Sequence, residues 1–495
     1  MSKRQLVKRR EKLGGLSGEE IKKVEKELSN EARKFVRDNK GLKITSKIAY
    51  QSPRITSEFM DCSMPVTFDH YSACSLGCLY CFAYFYKTCN SSWISDLHSI
   101  RIDRLIAGIS GDKKNMDKKT RRYYDVFYKD KFLLHWGGLA DPFCNFESVN
   151  NRGYALLKAL GEANYPTLFS FKGATIFEDK YWKLFEKWSK QQNFAFQISM
   201  VTADKEFASK VEVGVPSPER RFRAIKLLSD MGYYTILRLR PFIIGVTDYS
   251  LDELLGRAYE AGARGISLEF MAIDQRVSEG MIKRYKWLGS VIGTDDLLQY
   301  FKKLSPGERG GLYRLNRDLK ERFVKRIFKF CQSHKMLFAC SDPDFKELNM
   351  SGSCCGMPDD FPDNRGLENW SRMQLSYHLK ELRLKYHRTG ECGELTFWDV
   401  FGEDGDGTWL GVQKLAREDM VAITKMDNAM RTVVTPRMIG YRIWNNLRSP
   451  GNPYHYFHGK LYPVRLDERG SFVFKYRPMD YERRWVEEGI DLETR

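Results

Sequence analysis

Cys74, Cys78 and Cys81 stand in the run Ser72-Ala-Cys-Ser-Leu-Gly-Cys-Leu-Tyr-Cys-Phe82, separated by three and then two residues. Three thiolates so placed can hold three irons of a 4Fe-4S cluster and leave the fourth iron open to another molecule. A structural zinc site closes four ligands, usually from two separated pairs. Here Cys89 or His70 would have to complete the tetrahedron. Disulfides suit the chain poorly: eleven cysteines in 495 residues is a low density and an odd count, and no apolar leader-like segment opens the sequence.

These thiols need a scaffold, and the chain supplies the pattern of one. Between about residues 62 and 345, strand-like runs at 66–68, 132–136, 167–171, 195–200, 235–240, 265–270 and 336–340 alternate with amphipathic helices, as in a parallel α/β sheet or barrel. The thiol run follows the first of them. An apolar stripe through Leu312, Leu315, Leu319, Phe323 and Ile327 predicts a helix with its basic side outward. Ahead of the scaffold lies a helical, basic N-terminal arm, whose thirteen Lys and Arg through Lys40 face seven acids, a net of +6 (13 − 7). Ser17 and Glu20 form a capping box there, and Ile21, Val24, Leu28, Ala32 and Phe35 recur at helical spacing, so one face is expected to dock on the body.

Behind the scaffold, residues 359–364 read as a surface loop, and runs at 462–466 and 471–476 flank a hairpin turn. Aromatics alternate with basic residues there (Tyr441, Arg442, Trp444, Arg448, Tyr454, Tyr456, Lys460, Tyr462, Arg465), suited equally to stacking on bases and to packing a small accessory fold. The formal charge of +17 makes an acidic polymer a plausible partner, with a merely solvated surface as the alternative. No stretch of roughly eighteen apolar residues appears, so no membrane span is expected. Free thiols and an oxygen-labile cluster suit a reducing cytoplasm.

The thiol spacing, with Tyr80 directly before the last cysteine, resembles the signature of the radical S-adenosylmethionine enzymes. Over about residues 60–345 the resemblance is to the spore photoproduct lyase-like branch. Gly137-Gly-Leu-Ala-Asp141-Pro-Phe-Cys-Asn-Phe-Glu147 is similar to that branch's second-strand motif, and Ser170-Phe-Lys172 to its third-strand end. Gln197-Ile-Ser199 resembles the fourth strand. Glu212-Val-Gly-Val-Pro-Ser-Pro-Glu-Arg-Arg221 looks like the Glu-Pro-Gly-x-Pro-Ser-Pro loop and its helix, with Val213 in place of the first proline. Arg238-Leu-Arg-Pro241 is again similar to the branch.

The resemblance implies a partial, six-stranded parallel β/α barrel over 59–345, between the arm (1–58) and a C-terminal α+β extension (346–495). It implies that S-adenosylmethionine binds the open iron and that an electron from the cluster breaks its carbon–sulfur bond to give a 5'-deoxyadenosyl radical. Tyr80, Gly137, Gly138, Asp141, Lys172, Ser199, Glu212 and Arg221 become the expected cofactor contacts, and flavodoxin or ferredoxin the expected type of reductant.

Two departures stand out. The branch's hydrogen-returning cysteine falls at Gly138, with Cys144 six residues on as the substitute, so thymine-dimer repair is not expected. Cys331, Cys340, Cys354 and Cys355 are candidates for an auxiliary iron–sulfur cluster, for zinc, or for plain burial. Glu269 is the acid best placed to face the interior, with Arg238 or Arg240 as its partner or a substrate as its target. The preferred substrate is nucleic acid or a modified base. A peptide, protein or small metabolite under the same chemistry is the first rival, and a non-enzymatic zinc-bearing nucleic-acid-binding protein the second.

Overall fold

The computed structural model describes residues 18–44, 53–55, 61–83, 97–274, 279–292, 294, 296–305, 308–309, 312–361, 374–401, 444–449 and 451–493. Its main sheet joins eight strands in the order β1-β2-β3-β4-β5-β6-β7-β11. These are β1 (Arg54–Ile55), β2 (Val66–Phe68), β3 (Leu134–Trp136), β4 (Thr167–Phe171), β5 (Phe194–Ser199), β6 (Tyr234–Phe242), β7 (Gly265–Phe270) and β11 (Leu337–Cys340). Each pair from β2 to β11 is parallel, and β1 runs antiparallel against β2. All seven expected runs are strands. The expected count of six therefore falls short by one: seven strands are parallel, and β1 makes an eighth.

Alternation along the strands sorts the sequence onto two faces. One set (Phe68, Trp136, Phe169, Phe171, Phe194, Phe196, Leu237, Leu268) enters the large core under the covering helices, where the Phe169 and Phe196 rings stack 5.1 Å apart. Truncating such a ring to Ala costs about 3–5 kcal/mol. The other set points inward and divides by height. Leu168, Ala195 and Ile236 make an apolar floor with Met64, Leu133 and the loop residues Cys354, Cys355, Met357 and Phe361. Further along the same strands this face turns polar, with Thr67, His135, Ser170, Gln197, Ser199, Arg238, Ser267, Arg240 and Glu269. The β6–β7 register slips between Leu239 and Phe242, where Pro241 has no N–H to donate.

The helix Gly18–Asn39 docks as expected: Leu28 and Ala32 are buried in a cluster with Leu79, Val201 and Val211, and Ser29 Oγ donates to the Lys210 carbonyl at 3.2 Å. Ser17 lies outside the described residues, as do the side chains of Ile21 and Val24. The helix expected from Leu312 is shorter. Leu312–Arg314 is a strand, β10, paired with β8 (Ala272–Asp274) and β9 (Glu308–Arg309) in a second sheet. The helix begins at Arg317, where the Asn316 side chain accepts from the Leu319 amide at 3.2 Å.

The C-terminal part adds a third sheet, β12-β14-β13 (Glu394–Leu395, Phe472–Tyr476, Leu461–Leu466), containing the expected hairpin. Its apolar residues Leu379, Trp444, Phe474 and Trp485 belong to the same continuous core as the main sheet. Trp444, Tyr456 and Lys460 are buried, so these three pack the accessory fold rather than present themselves for stacking. Tyr441 and Arg442 lie outside the described residues. Buried ion pairs close the seam: Lys320 with Asp342 (2.9 Å) and Asp344 (2.5 Å), Lys346 with Asp61 (2.6 Å), and Lys460 with Glu347. No described helix is long and apolar enough to cross a membrane.

Candidate functional site

The thiol loop leaves β2 and is tied back to the segment after residue 210. The Leu79 amide donates to the Val211 carbonyl and the Gly214 amide to the Leu76 carbonyl, both at 2.9 Å, and Cys78 bridges Glu212 in antiparallel fashion. Gly77 turns the loop at φ +63°, and a Cβ there would lie 3.1 Å from Val36 of the docked helix. The Glu212 carboxylate accepts from the Tyr80 hydroxyl and from Arg221 Nη2, and Arg221 Nη1 donates to the Ser199 carbonyl at 2.7 Å. Glu212 and Arg221 are each 1 % exposed, and removing one partner of such a pair costs about 3–5 kcal/mol. A single chain of contacts thus fixes Cys78 and Tyr80 against the end of β5. The Lys172 ammonium sits 5.9 Å from the Tyr80 ring centre.

Burial pushes the Cys78 thiol well up; Lys172 draws it down, while Glu212, Cys81 and Cys74 push it further up. Three partly buried thiols within electrostatic reach of one another fit a cationic iron cluster, which would relieve that repulsion. Among the described residues no three His, Cys, Asp or Glu side chains converge tightly enough to share one metal ion. Cluster ligands each take a different iron, whereas zinc ligands all meet at one centre about 2.3 Å from each sulfur. His70 has both ring nitrogens engaged, by Trp136 Nε1 at 3.0 Å and by Glu147 at 3.0 Å, and does not complete a tetrahedron. Cys89 lies outside the described residues.

At the end of β3 the expected contacts take largely architectural places. Gly137 holds φ +105°, and a Cβ would come within 2.2 Å of the Ser170 carbonyl; one on Gly138 would lie 2.8 Å from Thr67 Oγ1. Asp141 accepts from the amides of Phe143 (2.8 Å), Lys172 (2.5 Å) and Gly173 (3.1 Å), so its carboxylate shapes the β4 exit loop. Glu147 is buried under His70, the Tyr71 and Tyr181 hydroxyls and the Gly153 and Tyr154 amides. Cys144 departs from expectation. It is fully buried among Tyr71, Ala73, Leu76 and Phe146, with its sulfur against Cys74, a poor position for a thiol that must reach a substrate radical.

The inward polar face forms a connected network. His135 Nε2 pairs with Ser170 Oγ at 2.8 Å, Ser170 donates to Gln197 at 2.6 Å, and Gln197 donates to the Cys355 carbonyl. Burial, with Arg238 adding to it, lowers His135 to about 3, so its ring is neutral. Arg238 Nη1 reaches Ser199 Oγ at 3.4 Å, and Arg240 Nη2 donates to the Cys354 carbonyl. Glu269 stands 3.8 Å from Arg240, one of the two partners expected, and 3.6 Å from Arg314, which sequence reasoning missed. Arg314 carried no signal because its segment read as helix. His135 and Gln197 did carry one, being the polar residues of otherwise apolar runs.

The four thiols expected as an auxiliary set do not assemble. Cys331 and Cys340 lie in the large core, where burial pushes both thiols up, while Cys354 and Cys355 occupy the inner floor. An auxiliary cluster on these four has no common centre here. The Cys354 and Cys355 side chains pair with each other, and that contact, with Arg240 and Arg238 nearby, brings Cys355 down to about 7.

No protein-family model matches the chain. It is 23 % identical over 207 residues to uncharacterized proteins of Mycobacterium tuberculosis and Mycobacterium bovis, covering 41 % of this chain. The match spans 57 % of the length of those curated relatives. Among solved structures it is similar to spore photoproduct lyase complexed with dinucleoside spore photoproduct (TM-score 0.43, 12 % identity, 59 % of this chain and 80 % of that one). It is also similar to Streptococcus suis SuiB bound to precursor peptide SuiA (0.35, 12 %, 56 % and 49 %) and to SuiB bound to S-adenosylmethionine (0.34, 14 %, 56 % and 51 %).

Proposed function

We propose that this chain is a radical S-adenosylmethionine enzyme acting on nucleic acid or a modified nucleobase. The observation that carries this is the thiol loop itself: three cysteines on one turn, locked by Glu212, Tyr80 and Arg221 onto the carboxyl end of a parallel sheet, where α/β folds collect their chemistry. Cys74, Cys78 and Cys81 would hold a 4Fe-4S cluster, which when bound supplies the electron that splits S-adenosylmethionine homolytically and leaves a 5'-deoxyadenosyl radical to take hydrogen from substrate.

The chain's residues do the rest. Tyr80, held by Glu212, offers a flat face for the adenine, and Lys172 a positive charge for the methionyl carboxylate. Ser199 is fixed between Arg221 and Arg238 as a polar contact. Gly137 and Gly138 hold the β3 exit close to its neighbours. The apolar floor and the docked helix wall off one end of the inward space and the back of the thiol loop, which excludes water from a reactive radical. The formal charge of +17 supports a polyanionic substrate.

The test is anaerobic reconstitution of the full chain with iron, sulfide, reductant and S-adenosylmethionine, scored for 5'-deoxyadenosine alone and with DNA, RNA or peptide added. Formation of the nucleoside, stimulated by DNA or RNA, is the expected result. Its absence from a protein that has taken up four irons rejects the reading.

A further inference from the structure

The loop after β11 folds back against the inward face of the sheet and makes a tight turn there. The Gly356 amide donates to the Ser353 carbonyl at 3.1 Å, which puts Cys354 and Cys355 at the two central positions of a β-turn. The strands grip this turn by its backbone. Arg240 Nη2 and Ser267 Oγ (3.3 Å) donate to the Cys354 carbonyl, and Gln197 donates to the Cys355 carbonyl. The Ser353 hydroxyl, held by Ser63 at 2.8 Å, accepts from the Cys355 amide at 3.3 Å. A turn satisfied in this way holds its two adjacent thiols in one place.

These sulfurs differ from the other buried thiols of the chain. Cys144, Cys331 and Cys340 have 0 % of their surface exposed, whereas Cys354 and Cys355 keep 9 % and 7 %. The Arg240 guanidinium lies 3.8 Å from the Cys355 sulfur and 3.8 Å from Glu269, which is 35 % exposed, so solvent comes within one side chain of the pair. Arg240, Arg238 and Lys346 bring positive charge to the two thiols, and Cys62 faces Cys355 as a third sulfur. Pairing with Cys354, aided by Arg240 and Arg238, makes Cys355 the more acidic of the two, and Cys354 is pushed well up. Cations beside a thiol favour the thiolate, the form that attacks electrophiles. Plain packing accounts for Cys331 and Cys340 in the large core, but not for a sulfur set against a guanidinium.

We infer that Cys354 and Cys355 form a two-electron redox site, in which Cys355 reacts with a small peroxide and Cys354 closes the product to a vicinal disulfide. The Cys355 thiolate attacks one peroxide oxygen; an S–O bond forms as the O–O bond breaks, and hydroxide leaves. Cys354 then attacks the sulfenic acid. The S–S bond forms, the S–O bond breaks, and the departing hydroxide takes the Cys354 proton and leaves as water. The two sulfurs together lose two electrons, and the peroxide gains them. Neighbouring Cα atoms lie about 3.8 Å apart, closer than the roughly 4.4–6.8 Å of an ordinary disulfide. The closed ring is therefore strained, and a dithiol reopens it readily. Closure removes the sulfur anion beside Arg240, so the charge balance of the inward face follows the oxidation state of the pair. This chemistry is independent of what the thiol loop binds.

Full-length protein treated with an equimolar amount of hydrogen peroxide, then alkylated in denaturant and digested with trypsin, tests it by mass spectrometry. Trypsin releases Glu347–Arg365, which holds these two cysteines and no others. That peptide should be unalkylated and lighter by two hydrogens, and dithiothreitol given before alkylation should restore the doubly alkylated form. Cys331 and Cys340 should be alkylated in the same sample, since an intact core shields them. Cys354→Ser should stop at the sulfenic acid, so that dimedone labels Cys355, while Cys355→Ser should lower labelling of this peptide about tenfold. The inference is overturned if the wild-type peptide stays doubly alkylated in excess peroxide, or if Cys331 and Cys340 are oxidised as fast as the pair. It is equally overturned if dimedone labels Cys354 in Cys355→Ser as strongly as Cys355 in Cys354→Ser.

Discussion

The molecule buries charge in two places and treats it differently. At the seam between the main sheet and the C-terminal part, Lys320, Lys346 and Lys460 each meet carboxylates at hydrogen-bonding distance, with Tyr456, Tyr481 and His458 completing the contacts. At the strand ends, Arg240 and Arg314 stand 3.8 and 3.6 Å from Glu269, and Arg238 and Arg240 each keep a buried Nε without a hydrogen-bond partner. Tight pairing holds two parts of a fold together; the looser pairing on the inward face leaves buried donors on Arg238 and Arg240.

The sharpest break would come from the thiol loop. Cys78→Ala should reduce bound iron to background after reconstitution and abolish 5'-deoxyadenosine formation, while thermal melting of the iron-free protein changes little. Next is the seam, where Lys320→Met leaves Asp342 and Asp344 buried without their cation and should cost about 3–5 kcal/mol in denaturant unfolding. Iron uptake in conditions where the variant is folded should be unaffected. Glu212→Gln lies between the two regions in character. It strands Arg221 and should lower stability by about 3–5 kcal/mol, with a change in the spectrum of the reconstituted protein that Lys320→Met does not produce.

Acidity distinguishes the regions further. His135 is held near 3 against its usual 6.5, chiefly by burial. As pH falls below 6.5 the unfolded chain takes up a proton that the folded chain refuses, so stability falls through that window, and His135→Gln should flatten the slope. Burial would raise Asp344, but Lys320 and His458 outweigh it and hold it far below the ordinary carboxylate range. Its contribution is complete above that range and lost as pH drops through and below it, so Asp344→Asn should flatten only the more acidic part of a melting-temperature profile. The smallest effect belongs to Cys331→Ala, a deletion in the apolar core expected to cost about 1 kcal/mol and to leave iron content unchanged.

The parts legible in the sequence were those written in local pattern. The thiol spacing, the seven parallel runs and the docking face of the first helix all depend on residues a few positions apart. What escaped depends on distant partners. Nothing near Asp141 announces that its carboxylate gathers the Lys172 and Gly173 amides of a distant segment, nothing near Cys144 that it packs on Cys74, and nothing near Arg314 that it faces Glu269. The apolar stripe across Leu312 and Leu315 continued a genuine helix one turn too far, because pairing with β8 outweighs helical periodicity there. Cys331, Cys340, Cys354 and Cys355 looked like a set only because a count does not show that a helix and a strand carry the first two into the large core while a loop lays the other two on the inner floor.

The central claim is that three thiolates hold a cluster whose fourth iron has no protein ligand. Mössbauer spectroscopy of protein reconstituted anaerobically with iron-57, recorded without and with S-adenosylmethionine, tests it most directly. The account predicts one four-iron cluster per chain, in which a single iron changes its signal when S-adenosylmethionine is added. Four irons that all stay unchanged, or a chain that takes up zinc and no iron, would contradict it.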